Sequence, residues 1–152
     1  MLAPDFKNNI VKACKAVLDS KIKFLNGALQ EATVAGNNET KSTAGDKHET
    51  ARAMMQLEQE KLGNQLTDLE TQINAFDKID FSINHALVSN GSLIETNNGF
   101  FLIATAIGKL VVESQTVFVI SNKSPLALNL LGLKPKGSSV FNGMNYSIKA
   151  IF

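Results

Sequence analysis

The first part of the chain carries hydrophobic residues at the spacing of an α-helix. From Asp5 to about Ala35 they fall on two adjacent stripes. The stripes consist of Ile10, Cys14, Val17, Phe24 and Ala28, and of Val11, Leu18, Ile22, Leu25 and Leu29. Pro4 suits the first turn of such a helix, because its missing N–H would have no partner there. The pattern therefore predicts one long helix that begins near Asp5.

A second hydrophobic stripe follows the heptad spacing of a coiled coil. Its members are separated by 7, 4, 3, 4 and 3 residues, and they are Met55, Leu62, Leu66, Leu69, Ile73 and Phe76. Gln59 takes the position that the first, longer gap skips. A polar residue in such a seam can fix the register of two helices at some cost in stability. The spacing predicts a second long helix with a narrow apolar face.

A polar stretch bounded by glycines, Gly36–Gly45, separates the two stripes and is predicted to be a loop. Two long amphipathic helices joined in this way should pack antiparallel, because neither narrow face is buried alone. Arms of about 30 residues would be roughly 45 Å long. We therefore expect residues 1–78 to form a coiled-coil hairpin with an acidic tip near residues 36–50.

After Lys78 the pattern changes to short runs rich in β-branched and aromatic residues. These runs predict strands over Ser92–Thr96, Phe100–Ile107, Lys109–Val112, Gln115–Ile120, Ser138–Phe141 and Tyr146–Ile151. Asn98-Gly99 and Asn142-Gly143 lie between runs, where Asn-Gly favours a hairpin turn. Ser124 to Leu131 instead predicts a short helix that stops at Gly132. Residues 79–152 are thus predicted to form an antiparallel β domain, and the chain belongs to the α+β class.

Charge and composition exclude several classes of protein. The 152 residues include 15 Lys and Arg and 14 Asp and Glu, a balance that argues against an autonomous nucleic-acid binder. No apolar run approaches the roughly 20 residues of a membrane span, and no secretory signal is apparent. The single cysteine, Cys14, lies on a helical stripe and is interpreted as a packed thiol. With one cysteine, no membrane span and no secretory signal, a reduced, cytoplasmic protein is expected. Glycine-rich phosphate loops are missing, so a nucleotide-dependent enzyme is not expected.

Two carboxylates, Asp46 and Glu49, stand three residues apart where the second helix should begin. They could form a capping box, in which each side chain accepts a hydrogen bond from the other residue's N–H. They could instead offer hard oxygen ligands to Mg²⁺, although a partner would have to supply the remaining ligands. His48 beside them could assist proton transfer or bind metal, but an isolated histidine there is more simply solvated. His85, in the segment between the two predicted domains, is a weaker candidate for either function.

The residues around the two carboxylates carry a family resemblance. Gly45-Asp46-x-x-Glu49-Thr50-Ala51 resembles the Gly-Asp-x-x-Glu-Asn signature of Gre-family transcript-cleavage factors. Downstream, Ser124-Pro125-Leu126-Ala127, Leu130-Leu131-Gly132 and Lys136-Gly137 are similar to the run Ser-Pro-x-Ala, Leu-Gly-Lys and Gly-Asp of the same family's C-terminal domain. The two signatures occur in the family's order and span nearly the whole chain.

The resemblance implies a fold and a function. It implies an FKBP-like C-terminal domain that docks on RNA polymerase through Lys123, Ser124 and Pro125, while the coiled coil enters the secondary channel. Asp46 and Glu49 would then share Mg²⁺ with the polymerase, whose own centre cleaves the 3′ end of backtracked RNA. The chain itself would be an accessory factor and not an enzyme, with no cofactor bound stably alone. It would be a monomer without membrane contact, and any association with DNA would be indirect.

Departures from the family pattern keep other functions open. Thr50 stands where the family usually has Asn, Ala53 where it has an aromatic residue, and Lys123 where it often has Asp or Asn. A regulator that blocks the polymerase channel without stimulating cleavage is therefore an alternative. A coiled-coil adaptor would explain the heptad seam but not the Ser-Pro-Leu-Ala run. A prolyl isomerase would need an aromatic-lined pocket, for which Tyr146 is the single tyrosine and no tryptophan exists.

Overall fold

The computed structural model describes residues 5–41 and 46–152, with the backbone alone over 36–41 and 46–48. Two long helices come first, α1 (Phe6–Lys41) and α2 (Asp46–Asp77). They precede six strands and a short helix: β1 (Leu93–Thr96), β2 (Gly99–Ala104), β3 (Gly108–Val112), β4 (Gln115–Ser121), α3 (Pro125–Leu130), β5 (Ser138–Phe141) and β6 (Met144–Ile151). The predicted α+β class, with long helices before a sheet that carries a short helix, is confirmed.

Helix α1 is longer than its hydrophobic pattern predicts. It continues past Ala35 to Lys41, so the expectation of a loop from Gly36 was wrong for residues 36–41. Extending a formed helix adds one hydrogen bond for each residue fixed, and a single glycine costs only about 1 kcal/mol. The rest of the predicted loop, residues 42–45, lies outside the described residues. Pro4 also lies outside them.

The heptad positions of α2 are the ones removed from solvent. Leu62, Leu69 and Phe76 are buried, and the intervening seam positions Met55, Gln59, Leu66 and Ile73 are half-buried. In α1 the less exposed positions run through Leu18, Ile22, Leu25 and Leu29. Phe24 was wrongly placed on a buried stripe and is 75% exposed. The step from Val17 to Phe24 drifts by only about 20°, so the exposure of Phe24 shows instead that the adjacent stripe, through Leu25 and Leu29, is the one that faces a partner.

The sheet has the strand order β3-β4-β2-β1-β6-β5. Neighbouring strands pair antiparallel except β2 and β4, which are parallel with Phe100 opposite Val117. The expected antiparallel sheet is therefore mixed. After β2 the chain leaves the neighbouring position in the sheet open and forms β3 at the edge. It then returns as β4, which fills the position between β2 and β3. Strand periodicity in a sequence gives no information about this insertion, since both pairings use the same alternation.

Two hairpin turns place non-glycine residues in the left-handed region. Asn142 and Gly143 join β5 to β6 with φ values of 50° and 76°, as an Asn-Gly turn predicts. Glu113 and Ser114 join β3 to β4 with φ values of 51° and 64°, without any glycine. The second turn carries more backbone strain, because the first has glycine at one position and asparagine, which tolerates this region, at the other.

Contacts divide the chain into two compact units. One consists of the residues up to Val17 together with Asn74–Phe152, and the other of Leu18–Ile73. The predicted boundary between residues 78 and 79 lies directly after the end of α2 at Asp77. Both long helices contribute residues to both units.

In the unit that contains the sheet, hydrophobic residues pack on both sheet faces. One face packs against α3, and its buried cluster includes Ile94, Phe101, Ile103, Ala127, Leu130, Tyr146 and Ile148. On the other side, the first turn of α1 places Phe6 against Phe100 of β2. Lys7 adds a polar contact, since its Nζ donates to the carbonyl oxygen of Phe152 at 2.9 Å. Burial lowers the pKa of Lys7, and the Asp80 carboxylate partly opposes this shift.

In the unit formed by Leu18–Ile73, the arms of α1 and α2 lie antiparallel. Gln59 of α2 donates a hydrogen bond to the carbonyl oxygen of Ala32 in α1 at 3.2 Å. Leu25 of α1 and Leu69 of α2 line one apolar groove of about 380 Å³. Earlier residues of α1 therefore lie beside later residues of α2, which defines the antiparallel direction.

Candidate functional site

The two carboxylates singled out by the sequence lie in the first turn of α2. Asp46 is the first residue of this helix, and Glu49 follows three residues later. Residues three apart on a helix share a face, so Asp46 and Glu49 occupy positions on the same side of α2. The Glu49 side chain is exposed. The side chains of Asp46 and His48 lie outside the described residues, and so does the predicted capping box.

An exposed carboxylate such as Glu49 is suited to contribute to a metal site shared with another molecule. Its oxygen atoms are hard ligands of the kind Mg²⁺ prefers, and Mg²⁺ usually takes only one or two protein carboxylates. Over the parts of the chain that the structure describes, no three His, Cys, Asp or Glu side chains converge on a metal-sized space. Within the described residues, Glu49 thus has too few neighbouring ligands to hold such an ion tightly by itself.

The residues that follow Glu49 present a mixed surface. Arg52 and Ala53 are exposed, and Met54 is 66% exposed, whereas Met55 is half-buried in the seam. Met55 is therefore the seam residue that the heptad spacing predicts, and Met54 lies beside the seam. This end of α2 thus carries Glu49, Arg52 and Met54 at its surface within about two turns.

The start of α3 forms a small polar cap around Ser124. The Ser124 hydroxyl accepts a hydrogen bond from the Ala127 N–H at 3.2 Å and donates to the Ser121 carbonyl at 2.8 Å. Pro125 occupies the first turn, where its missing N–H needs no partner. In this cap Ser124 is half-buried, whereas Lys123 and Pro125 are exposed. Of the three predicted contact residues, Lys123 and Pro125 are available at the surface, and Ser124 fixes their backbone.

One exposed side chain beside this cap was missed by the sequence analysis. Leu128 of α3 is 63% exposed, and the sequence pattern alone had given it no separate role. A helical projection would have separated Leu128 from the buried pair Ala127 and Leu130, because a six-residue helix buries only one side. The exposed surface at α3 therefore combines Lys123, Pro125 and Leu128.

Other residues considered as reactive groups have structural roles. Cys14 is fully buried, and burial raises the pKa of its thiol to about 11, so it is the packed thiol that its position predicts. Tyr146 is buried and packs edge-on against Phe101 with ring centroids 5.8 Å apart. This aromatic pair fills the core between the sheet and α3 and does not line an open pocket there. His85 is half-buried in the segment between α2 and β1.

Among the described residues, neither long helix includes a stretch that is both long and apolar enough to cross a membrane.

Comparison with known proteins finds similar solved structures, two of which are of Gfh1. No family model and no curated protein matches the sequence. A structure of the transcription factor Gfh1 aligns over 88% of this chain and 90% of its own, with 17% identity and a TM-score of 0.37. The crystal structure of Thermus aquaticus Gfh1 aligns over 92% and 94%, with 18% identity and a TM-score of 0.32. These matches fit the resemblance to a Gre-like factor. At such identities and TM-scores they carry no argument about function, so the function must be argued from the residues of this chain.

Proposed function

We propose that this protein is a transcription elongation factor that binds RNA polymerase and stimulates Mg²⁺-dependent cleavage of backtracked RNA. The observation that carries the proposal is the position of Asp46 and Glu49 in the first turn of α2, with Glu49 exposed. These carboxylates lie at one end of a pair of antiparallel helical arms. A pair of arms about 45 Å long could enter a channel too narrow for the sheet domain.

In this proposal the carboxylates act as ligands, and the polymerase performs the reaction. A second metal ion beside a scissile phosphate can activate a water molecule and stabilise the developing charge. Asp46 and Glu49 would hold that ion from one side, while the polymerase and the RNA provide its other ligands. The protein's own contribution is thus to place two negative oxygen donors, and it needs no catalytic base of its own.

The sheet-containing unit would provide the second contact with the polymerase. Lys123 and Pro125 are exposed at the start of α3, and the Ser124 cap fixes the backbone that carries them. We propose that this surface docks at the rim of the secondary channel. A net charge of +1 suits a factor whose main partner is a protein surface, because strong nucleic-acid binding would need a larger basic excess.

The direct test is an RNA-cleavage assay with backtracked polymerase. RNA polymerase from the same source is stalled and backtracked, the protein is added with Mg²⁺, and RNA length is followed over time. We expect faster shortening of the RNA. The double variant Asp46→Asn plus Glu49→Gln should reduce the stimulation by roughly 100-fold, since it removes the charged ligands without a change in side-chain shape.

A matched control is available on the same helix. Asp68 and Glu70 are also exposed on α2, and Asp68→Asn plus Glu70→Gln removes the same two charges far from the first turn. This control should keep the wild-type stimulation. If both double variants lose activity equally, the specific role of Asp46 and Glu49 is wrong.

The second candidate is a regulator that occupies the channel without stimulating cleavage. It is favoured by Thr50 and Ala53, which replace the Asn and the aromatic residue usual in the family and are both exposed. Polymerase binding and slower RNA synthesis without RNA shortening would support this candidate. Failure to bind polymerase at all would reject both candidates and favour a coiled-coil adaptor.

A further inference from the structure

Gln59 interrupts an otherwise apolar seam. The heptad positions from Met55 to Phe76 carry hydrophobic side chains except at this residue. Gln59 is half-buried, so its amide has lost part of its hydration. A buried amide without a hydrogen-bond partner is destabilising, and its position in the seam therefore depends on the partner it finds.

That partner is a main-chain carbonyl of the opposite helix. The Gln59 Nε2 donates to the Ala32 oxygen at 3.2 Å across a sequence separation of 27 residues. A carbonyl within an α-helix already accepts from the N–H four residues later, and larger side chains screen its second lone pair. The side chains of the next helical turn lie nearest this oxygen, because Cα–Cβ bonds tilt towards the N-terminus, and Ala35 and Gly36 in that turn are small. The pair thus combines a long donor on α2 with small residues on α1.

We propose that Gln59 sets the axial register of the α1 and α2 arms and is thereby a positioning residue for Glu49. The apolar contacts of the seam are not directional, so a shift of one helix along the other can replace one leucine contact with a similar one. The hydrogen bond from Gln59 is directional, so it is kept only where its amide meets an accessible carbonyl. A shift of one turn in either direction would move α2 by about 5.4 Å relative to α1 and would break the hydrogen bond to the Ala32 oxygen.

The consequence for Glu49 follows from its distance along the same helix. Ten residues separate Glu49 from Gln59, which corresponds to about 15 Å of a continuous helix. Any axial displacement of α2 at Gln59 therefore moves Glu49 by the same distance. This functional part of the inference rests on the proposed role of Glu49 as a metal ligand, whereas the register itself does not.

Distances between spin labels on the two arms test the register directly. Labels are attached at Glu31→Cys and Lys61→Cys, two exposed positions near the Ala32–Gln59 pair, in a Cys14→Ala background. Double electron–electron resonance should give one narrow distance distribution for this protein. Adding Gln59→Leu should broaden or split the distribution, although it completes the apolar seam. Gln65→Leu, the same substitution at an exposed site of α2, should leave it unchanged.

An isosteric variant separates the hydrogen bond from packing. Gln59→Glu keeps the side-chain shape, but an ionised carboxylate cannot donate to the Ala32 carbonyl. We expect a broad distribution at neutral pH and a narrower one at a pH below about 4, where the carboxyl group is protonated and can donate. An unchanged narrow distribution in Gln59→Leu would overturn the proposal, even if Gln59→Glu does not fold.

The cleavage assay then tests the positioning of Glu49. Displacement of a reacting group by a small distance can reduce a rate on the order of 100-fold, and we expect a loss of this size for Gln59→Leu. Wild-type stimulation by a Gln59→Leu protein with a broad distance distribution would overturn the positioning role. If the unsubstituted protein does not stimulate cleavage, the proposed function fails, but the spin-label result still decides the register.

Discussion

Phe6 in the first turn of α1 packs edge-on against Phe100 of β2, with ring centroids 5.3 Å apart and the planes at 69°. Because Phe6 is buried, Phe6→Ala removes apolar contacts and leaves a cavity. We expect the free energy of unfolding to fall by about 3–5 kcal/mol in urea denaturation. Phe24→Ala is the matched control, since it removes the same ring from the same helix at a site 75% exposed. Its effect should stay within about 0.5 kcal/mol, and equal losses would contradict the described packing.

The Ser124 cap at α3 should have a measurable effect on stability. Ser124→Ala removes the acceptor for the Ala127 N–H and the donor to the Ser121 carbonyl. We expect a loss of about 0.5–2 kcal/mol in the free energy of unfolding, visible as a lower Tm. Ser20→Ala in α1 is the comparison, because Ser20 is exposed within a helix where alanine is the better helix former. A Tm that is unchanged in Ser124→Ala would show that the cap is energetically neutral.

The turn between β3 and β4 should be improved by glycine. Ser114 adopts a φ of 64°, which costs a non-glycine residue about 1–2 kcal/mol. Glycine would relieve this cost, but it also makes the unfolded chain more flexible, which offsets part of the gain. Ser114→Gly should therefore stabilise the protein by about 1 kcal/mol, measured by chemical denaturation. Ser138→Gly in β5 should have the opposite sign and cost about 0.5–1 kcal/mol. Destabilisation by both substitutions would argue against the left-handed turn.

Cys14 should make unfolding depend on pH in the alkaline range. Burial raises the pKa of its thiol from 9.0 to about 11, so the folded protein favours the neutral form. Its contribution to stability is complete below about pH 9, where the unfolded thiol is also neutral, and is lost as the pH rises towards 11. The free energy of unfolding of the wild type minus that of Cys14→Ala should therefore decrease between pH 8.5 and 11. A difference independent of pH would contradict a thiol that stays neutral in the core.

Local sequence patterns predicted most of the secondary structure because each rests on short-range physics. The heptad positions around Leu62 and Leu69 are the less exposed positions of α2, and the turn at Asn142-Gly143 forms where the sequence places it. Two features were not accessible in this way. The placement of β4 between β2 and β3 depends on long-range pairing, and the exposure of Phe24 depends on which of two adjacent helical stripes finds a partner.

The candidate site was predicted as a motif, and only part of it has a described geometry. The sequence located Asp46 and Glu49 at the start of a helix, which α2 confirms, and it located Ser124 at the start of α3. It also pointed to Gln59 as a polar member of the seam. The partner of Gln59, the carbonyl of Ala32, could not be identified from sequence, because main-chain acceptors leave no pattern of residue types.

The hydrogen bond from Lys7 to the carbonyl of Phe152 spans 145 residues, and it has a consequence for the order in which the molecule forms during synthesis. The unit that contains the sheet requires both the first turns of α1 and the last strand, whereas the arms of α1 and α2 come from the uninterrupted segment Leu18–Ile73. Contacts between residues close in sequence form faster than distant ones, because less chain entropy is lost. The arms can therefore assemble on the ribosome before β6 has been synthesised, whereas the first turns of α1 cannot complete their packing until then. The apolar seam between the arms is thus buried before the sheet forms.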